Sequence, residues 1–335
     1  MIKDLVTAVI VNYNNRLYLE RCINSILNQT YGKVEIIFID NVSTDGSYEF
    51  VKEKFQKYNI NLIKNNKNVG YAGGANQGIK LANGEYVLIL NPDIVLEPNF
   101  IEICIETLNI DSRVASVSGK LLKYDFVRDQ KLNIIDSTGI VVEHDRMAVD
   151  RGQNIEDCGQ YNNIEHIFGV CGAAAFYKKE ALEHVKVCDE YFDEDFFAYK
   201  EDVDLSWRLN LYGYKCYYNP NAVAYHGRGL GGSRGGIKNF INNRKNQSEF
   251  LRGISFRNHY LMLLKNETKY TFKRDKFKIL KRTFLFLCYA LLYERFIFKY
   301  IMQTFKLKNK MLKKREIIMQ NTNISNFELY KLFDN

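Results

Sequence analysis

The sequence predicts an α/β fold on a mostly parallel sheet, and three observations carry that expectation. Strand-like and helix-like segments alternate through the first hundred residues. Several apolar runs stop abruptly at a polar residue, as strands buried on both faces do. A chain of 335 residues with 46% hydrophobic content can also bury a large core. Alternation at this pitch joins parallel neighbours through right-handed crossovers.

In order, Leu5 to Val11 reads as a buried strand, and Leu17, Cys22, Ile23, Ile26 and Leu27 fall at helical spacing. Val34 to Ile39 is a second strand and ends in Asp40. Asp45 to Phe55 reads as a helix opened by Ser43, Thr44 and Asp45, all capping residue types. Ile60 to Ile63 is a third strand. Tyr71 to Leu81 is a helix, preceded by Gly70 and closed by Asn83-Gly84. Tyr86 to Leu90 is a fourth strand, and Pro92 stops it because proline cannot continue a central ladder. Residues 110–180 are less regular, with short strands at Val114 to Ser118, Gly139 to Val142 and Val170 to Phe176, some of them antiparallel. Glu201 to Leu211 reads as a helix, and Tyr214 to Tyr218 and Ala222 to Tyr225 as strands. Gly227 to Gly236 is a glycine-rich loop. Beyond about residue 238 the pattern is helical, aromatic and basic.

Composition narrows the function classes. Seven cysteines without a C-x-x-C pair suggest reduced thiols in a cytosolic protein. No zinc spacing is present. No apolar stretch reaches the roughly 18 residues that a spanning helix needs. Met1-Ile2-Lys3-Asp4 leads into an apolar run that Asn12 ends, which is not a secretory signal pattern. The net charge of +8 is unevenly spread: residues 238–315 hold 21 Lys/Arg against 4 Asp/Glu, so the remainder is net acidic. A basic appendage on an acidic body suits a polyanionic surface.

The chemistry is expected at strand ends. Asp93 follows the Val87–Leu90 run and would stand at the carboxyl edge of the sheet, where open α/β sheets bind ligands. An acid there can hold a divalent cation and, through it, a diphosphate. Asp40 ends its own apolar run and suits a ribose or base contact. Asp45 and Ser43 fit helix capping better. Gly73 and Gly74 open a helix and would serve an anion or a close helix–strand contact equally well. Glu201-Asp202 at a helix start could complement the helix dipole or supply a general base. Asp204 and Arg208, four apart, suit an ion pair. His226 ends an apolar strand and could join Asp93 in a Mn²⁺ or Mg²⁺ site.

Seven blocks in order together resemble the inverting family 2 glycosyltransferases, in particular their rhamnosyltransferase-like branch. They are VIVNYNN (9–15), EIIFIDNVSTDGS (35–47), NKNVGYAGGANQGI (66–79), YVLILNPD (86–93), GVCGAAAFYKKEAL (169–182), FDEDFFAYKEDVDLSWRL (192–209) and YNPNAVAYHGRG (218–229). The resemblance covers about residues 5–232. It implies a GT-A fold over 1–236, with a nucleotide-sugar half (1–110) and an acceptor half (111–236), followed by a helical extension (237–335). It implies nucleotide contacts from Asn12, Tyr13, Asp40, Asn68, Gly70, Asn91 and Arg228, and metal ligation by Asp93 and His226. Asp202 would be the general base, with Glu201 as its rival. Asn91 stands where many relatives carry the first acid of D-x-D.

The implied reaction moves a sugar, rhamnose first, from dTDP-rhamnose or a UDP-sugar to a surface polysaccharide or lipid-linked glycan. Alternatives are an inactive nucleotide-sugar-binding module of the same fold and a nucleotidyltransferase. The latter needs a glycine-rich loop with a basic residue after the first strand, which Asn12-Tyr13-Asn14 does not supply. A further expectation is that the 227–236 loop closes over the donor, with Arg228 or Arg234 on the diphosphate. The apolar run Phe284 to Tyr293 is flanked by Lys281-Arg282 and Glu294-Arg295. It suits helices packed on the body or lying on an anionic membrane, which would place the protein peripherally on the cytoplasmic face. No nucleic-acid-reading module is present.

Overall fold

The computed structural model describes residues 1–227 and 247–333, so Arg228, Arg234 and the expected lid after Gly227 lie outside the described residues. The first half follows the predicted alternation. It runs β1 (Ile2–Asn12), α1 (Arg16–Leu27), β2 (Val34–Asp40), α2 (Ser47–Lys54), β3 (Ile60–Lys64), α3 (Gly70–Leu81) and β4 (Gly84–Leu90). β1 pairs in parallel with both β2 and β4, and β2 with β3. Odd and even positions of β1 feed opposite faces. Val9 and Val11 meet α3, while Ala8 and Ile10 join the core with Leu19 and Ile23 of α1.

Glycines on α3 serve that packing. A Cβ on Gly74 would stand 2.7 Å from Val11 Cγ1, and one on Gly78 would stand 2.2 Å from Val9 Cγ1. Of the two uses open to the Gly73-Gly74 pair, Gly74 therefore serves close helix–strand contact.

The second half extends the same sheet with mixed polarity. Its elements are β5 (Ile94–Leu96), α4 (Phe100–Leu108), β6 (Val114–Asp125), β7 (Gln130–Ser137), β8 (Ile140–Val142), β9 (Ala148–Asp150), β10 (Glu165–Ile167), β11 (Ala174–Lys178), α5 (Lys179–His184), α6 (Glu201–Leu211) and β12 (Lys215–His226). The ten-stranded sheet runs β10-β12-β6-β11-β4-β1-β2-β3, with β5 on β12 and β7 on β6, and β8–β9 form a separate hairpin. Three expectations change here. The strand read at Val170 to Phe176 begins later, at Ala174, because Cys171 to Ala173 turn into the sheet. The two strands read after residue 214 are one, β12, bent by a register shift between Asn219 and Val223 around Pro220. β7 was not foreseen, because its first half is polar and exposed.

Among the described residues four helices follow: α7 (Glu249–Asn266), α8 (Lys269–Tyr293), α9 (Ile297–Gln320) and α10 (Asn326–Lys331). Of these, α7, α9 and α10 share the main core, to which they contribute Leu261, Met262, Met311, Ile318 and Leu329. Buried ion pairs fix them in place. Lys265 of α7 reaches Asp193 at 2.6 Å and Asp204 at 2.9 Å, and Lys314 of α9 reaches Asp193 at 2.7 Å. Arg146 is fully buried between Glu267 (2.7 Å) and Asp275 (2.8 Å). Among the described residues no helix is long and apolar enough to cross a membrane.

Candidate active site

Strand register brings the expected residues to one rim. Asn12 and Asp40 are partners at the ends of β1 and β2. Asn12 Nδ2 donates to Asp40 Oδ1 and to Ser43 Oγ, both at 3.0 Å, and Ser43 N donates to Asp40 Oδ2 at 3.0 Å. Ser43 thus belongs to the Asp40 cluster, whereas Asp45 caps α2 by accepting from Ser47 N at 3.0 Å. Tyr13 projects from this edge, 51% exposed, a flat surface beside a buried polar floor. Asn68 Oδ1 accepts from Gly70 N at 2.8 Å. Gly70 has φ +77°, and a Cβ there would meet the Phe197 carbonyl at 2.4 Å, so this glycine lets α3 abut the segment that leads to Asp202.

Asp93 and His226 are neighbours because β5 pairs antiparallel with the end of β12, with His226 opposite Ile94. Gly227 N donates to the Asp93 carbonyl at 2.9 Å and locks that corner. His226 Nε2 lies 3.3 Å from Asp93 Oδ1, and its Nδ1 lies 2.7 Å from Asp136 Oδ2. Burial alone would lower the imidazole pKa, but the two carboxylates overcome it and push it up to about 9. Asp136 was not foreseen. Its signal was present, since Ile134-Ile135-Asp136 is an apolar run ending in an acid, like Ile39-Asp40.

This corner fits a divalent cation. A carboxylate on Nδ1 is the usual support of a histidine that ligates through Nε2, and Nε2 faces a second carboxylate. Among the described residues no group of three or more His, Cys, Asp or Glu closes a metal site. Two protein ligands suit a cation that takes its remaining oxygens from a diphosphate and water. Asn91, at the end of β4, holds its backbone against Ala173 (N to O, 2.9 Å) and is half-buried.

Asp202 reaches the same rim from the other half. Asn91 and Ala173 align the end of β4 with the approach to β11, and Gly172 N donates to Asp202 Oδ2 at 3.1 Å. Val203 N donates to Asp202 Oδ1 at 2.8 Å. Burial raises the Asp202 pKa, the Gly172 amide pulls it down and Asp150 pushes it up; the net shift is upward. Glu201 is buried, and burial together with Asp202 lifts its carboxyl to about 8. Its Oε2 meets no hydrogen-bond partner. At neutral pH Glu201 is therefore mostly protonated, and the more accessible Asp202 is the better base. Tyr71 donates to the Gly172 carbonyl at 2.7 Å, and burial, followed by the nearby Glu201 and Asp202 carboxylates, raises its pKa. Asp204, as expected, pairs with Arg208 (3.1 Å) and faces the core.

The segment that delivers Asp202 is strained. Phe197, Tyr199 and Lys200 have φ of 65°, 69° and 72°, a region that side chains disfavour. Asn258 of α7 holds this segment, its Nδ2 donating to the carbonyls of Phe196, Ala198 and Tyr199 at 2.8–2.9 Å. Nothing local in the sequence pointed to Asn258.

The family model described as "Glycosyl transferase family 2" matches residues 7–186, the stretch that holds Asp40, Asp93, Asp136 and Gly172. The chain belongs to glycosyl transferase family 2. Within reach of this family-2 chain are the poly-β-1,6-N-acetyl-D-glucosamine synthases of Staphylococcus epidermidis and Staphylococcus aureus. Each is 26% identical over 225 residues, 66% of this chain and 49% of the relative. The chain thus spans about half the length of these curated relatives. The fold also resembles a mannosyltransferase of Pyrobaculum calidifontis solved with GDP-Man and Mn²⁺ (TM-score 0.52, 17% identity, 94% of this chain and 85% of that one). A second likeness is GalNAc-T7 solved with UDP, GalNAc and Mn²⁺ (TM-score 0.58, 15% identity, 77% and 48%). These likenesses establish a GT-A architecture.

Proposed function

We propose that this chain is an inverting glycosyltransferase that moves a sugar from a nucleotide diphosphate sugar to a hydroxyl of a glycan or lipid-linked glycan. The observation that supports the reading is that Gly172, which holds Asp202, adjoins the Asn91–Ala173 hydrogen bond two residues before Asp93, the residue paired with His226. Asn12, Tyr13 and Asp40 bind base and ribose, and Asn68, Gly70 and Asn91 line the path to the diphosphate. Asp93 and His226 would hold Mn²⁺ or Mg²⁺, which supplies a Lewis acid for the leaving diphosphate. Asp202 takes the acceptor proton as that oxygen attacks the anomeric carbon, and Glu201, kept neutral, adds no second charge.

The donor is dTDP-rhamnose by sequence resemblance, with UDP-sugars as the rivals that the N-acetylglucosamine polymerases among the relatives favour. The charge of the basic helices supports a position on the inner face of an anionic membrane, where a polysaccharide under assembly would be within reach.

The test is Asp202→Asn, assayed with a panel of nucleotide sugars with and without Mn²⁺. Transfer is expected to fall by about 10²–10⁴-fold. The thermal stabilisation by the preferred donor should survive, because only the transition state loses an interaction. Near-normal turnover would reject the assignment. A donor that binds but is never transferred by the unaltered protein would favour the inactive binding module.

A further inference from the structure

We infer that the acceptor enters along a cleft between α8 and the β8–β9 hairpin, and that this cleft takes a lipid phosphate with its alkyl chain laid along α8. The inference rests on the glycosyl-transfer reading and specifies its acceptor.

The cleft has a volume of about 910 Å³. One wall is a single face of α8, carrying Lys278, Lys281 and Arg282, then Leu285, Phe286 and Tyr289. These positions recur at three- and four-residue spacing, so they line up along one side of the helix. At 1.5 Å per residue the row is about 16 Å long. It is cationic over its first turn and apolar over the rest, the division an amphiphile with an anionic head would require.

The opposite wall carries Glu143, His144 and Asp145, two carboxylates against the three cations of α8. Asp145 is engaged with Arg282 at 3.6 Å, and His144 Nδ1 with Asp275 at 3.0 Å. Lys278 and Lys281 are exposed and form no ion pair among the described residues. Two uncommitted ammonium groups beside a fixed guanidinium make a site for a phosphate rather than for a neutral head.

The cationic end is also the end nearest the chemistry. Lys200 donates to the Ala148 carbonyl of β9 at 3.3 Å, which ties the hairpin to the segment before Asp202. The turn of the same hairpin carries Asp145, which meets Arg282 at 3.6 Å, so the hairpin links the guanidinium to that segment. A head group on Lys281 and Arg282 would thus leave its attached sugar facing Asp202. At the far end, α8 continues into exposed Leu291, Leu292 and Tyr293, 54–70% accessible, which a bilayer surface would cover. The cleft therefore runs from a membrane-compatible tip to the base.

The experiment uses the full chain and phosphatidylcholine vesicles doped either with a polyprenyl phosphate or with phosphatidylglycerol at equal surface charge. Sedimentation gives the affinity for each. The lipid phosphate should be favoured by about tenfold, and the double variant Lys278→Gln/Lys281→Gln should bring that ratio close to one. Equal affinity for both vesicles in the unaltered protein would overturn the proposal, because only surface charge would then be read. An unchanged ratio in the variant would overturn it too. Calorimetry with nucleoside diphosphate and Mn²⁺ runs alongside, and the variant should bind as the unaltered protein does. A failure there in the unaltered protein counts against the glycosyl-transfer reading, whereas equal affinity of the unaltered protein for both vesicles, with that binding intact, counts against the cleft alone.

Discussion

The two sides of the rim are held in different ways. On the donor side, Asn12, Asp40 and Ser43 satisfy one another within adjacent elements, and parallel register alone sets their geometry. On the acceptor side, Glu201 and Asp202 follow a strained segment that is held by α7 and by lysines from α7 and α9. On the proposed reading, the base and ribose contacts come from the first ninety residues, while the segment before the proposed base is held by the C-terminal helices. Donor recognition and catalysis should then be separable by mutation.

The largest effect expected is on folding. Lys265→Met removes one of the two cations that meet each of Asp193 and Asp204, both of which are almost fully buried and keep only Lys314 and Arg208 respectively. Removing one partner of such a cluster costs about 3–5 kcal/mol, measurable as a shift in denaturant midpoint. A change below about 1 kcal/mol would show that the helices dock by other contacts.

On the donor side, Asp136→Asn should weaken Mn²⁺ binding by about 10–100-fold, because His226 loses the carboxylate that orients it. Titration calorimetry of the metal with nucleoside diphosphate reads this directly, and an unaltered Kd would remove Asp136 from the site.

Asn258→Ala sharpens the contrast. It should cost about 1–3 kcal/mol and lower kcat while the donor Kd stays the same. If donor affinity falls in parallel, the two sides are not independent.

The remaining effect is a slope. Glu201 titrates at about 8 in the folded chain and near 4.5 when unfolded. Its contribution is complete below pH 4.5 and is lost as pH rises towards 8, since the unfolded chain releases the proton first. Glu201→Gln should therefore flatten the fall in stability across that window. Parallel curves for the two proteins would contradict a buried neutral Glu201.

Much of the donor side was legible because strand ends announce themselves. Asp40 and Asp93 each follow an apolar run, and the parallel register then aligns them without further information. Asp136 carried the same signal but was hidden by the polar start of its strand, Gln130 to Asn133. The acceptor side was legible only by resemblance. Composition does not reveal which of many lysines is buried. Lys265 and Lys314 look like surface charge in a basic tail, yet they are 1% exposed and form the centre of an ion-pair cluster. Asn258 was invisible for a related reason: its partners are backbone carbonyls some sixty positions earlier in the chain.

One ladder settles how the halves can move. β11 runs beside β4 over the pairs Ala174–Leu90 to Lys178–Tyr86 and beside β6 on its other edge. The seam between the halves is thus a row of main-chain hydrogen bonds in the middle of the sheet, a poor place for a hinge. Opening and shutting the two lobes like a jaw would tear that row. The separation between leaving group and acceptor oxygen is set once, when the chain folds, and each turnover must bring both substrates into a gap of fixed width.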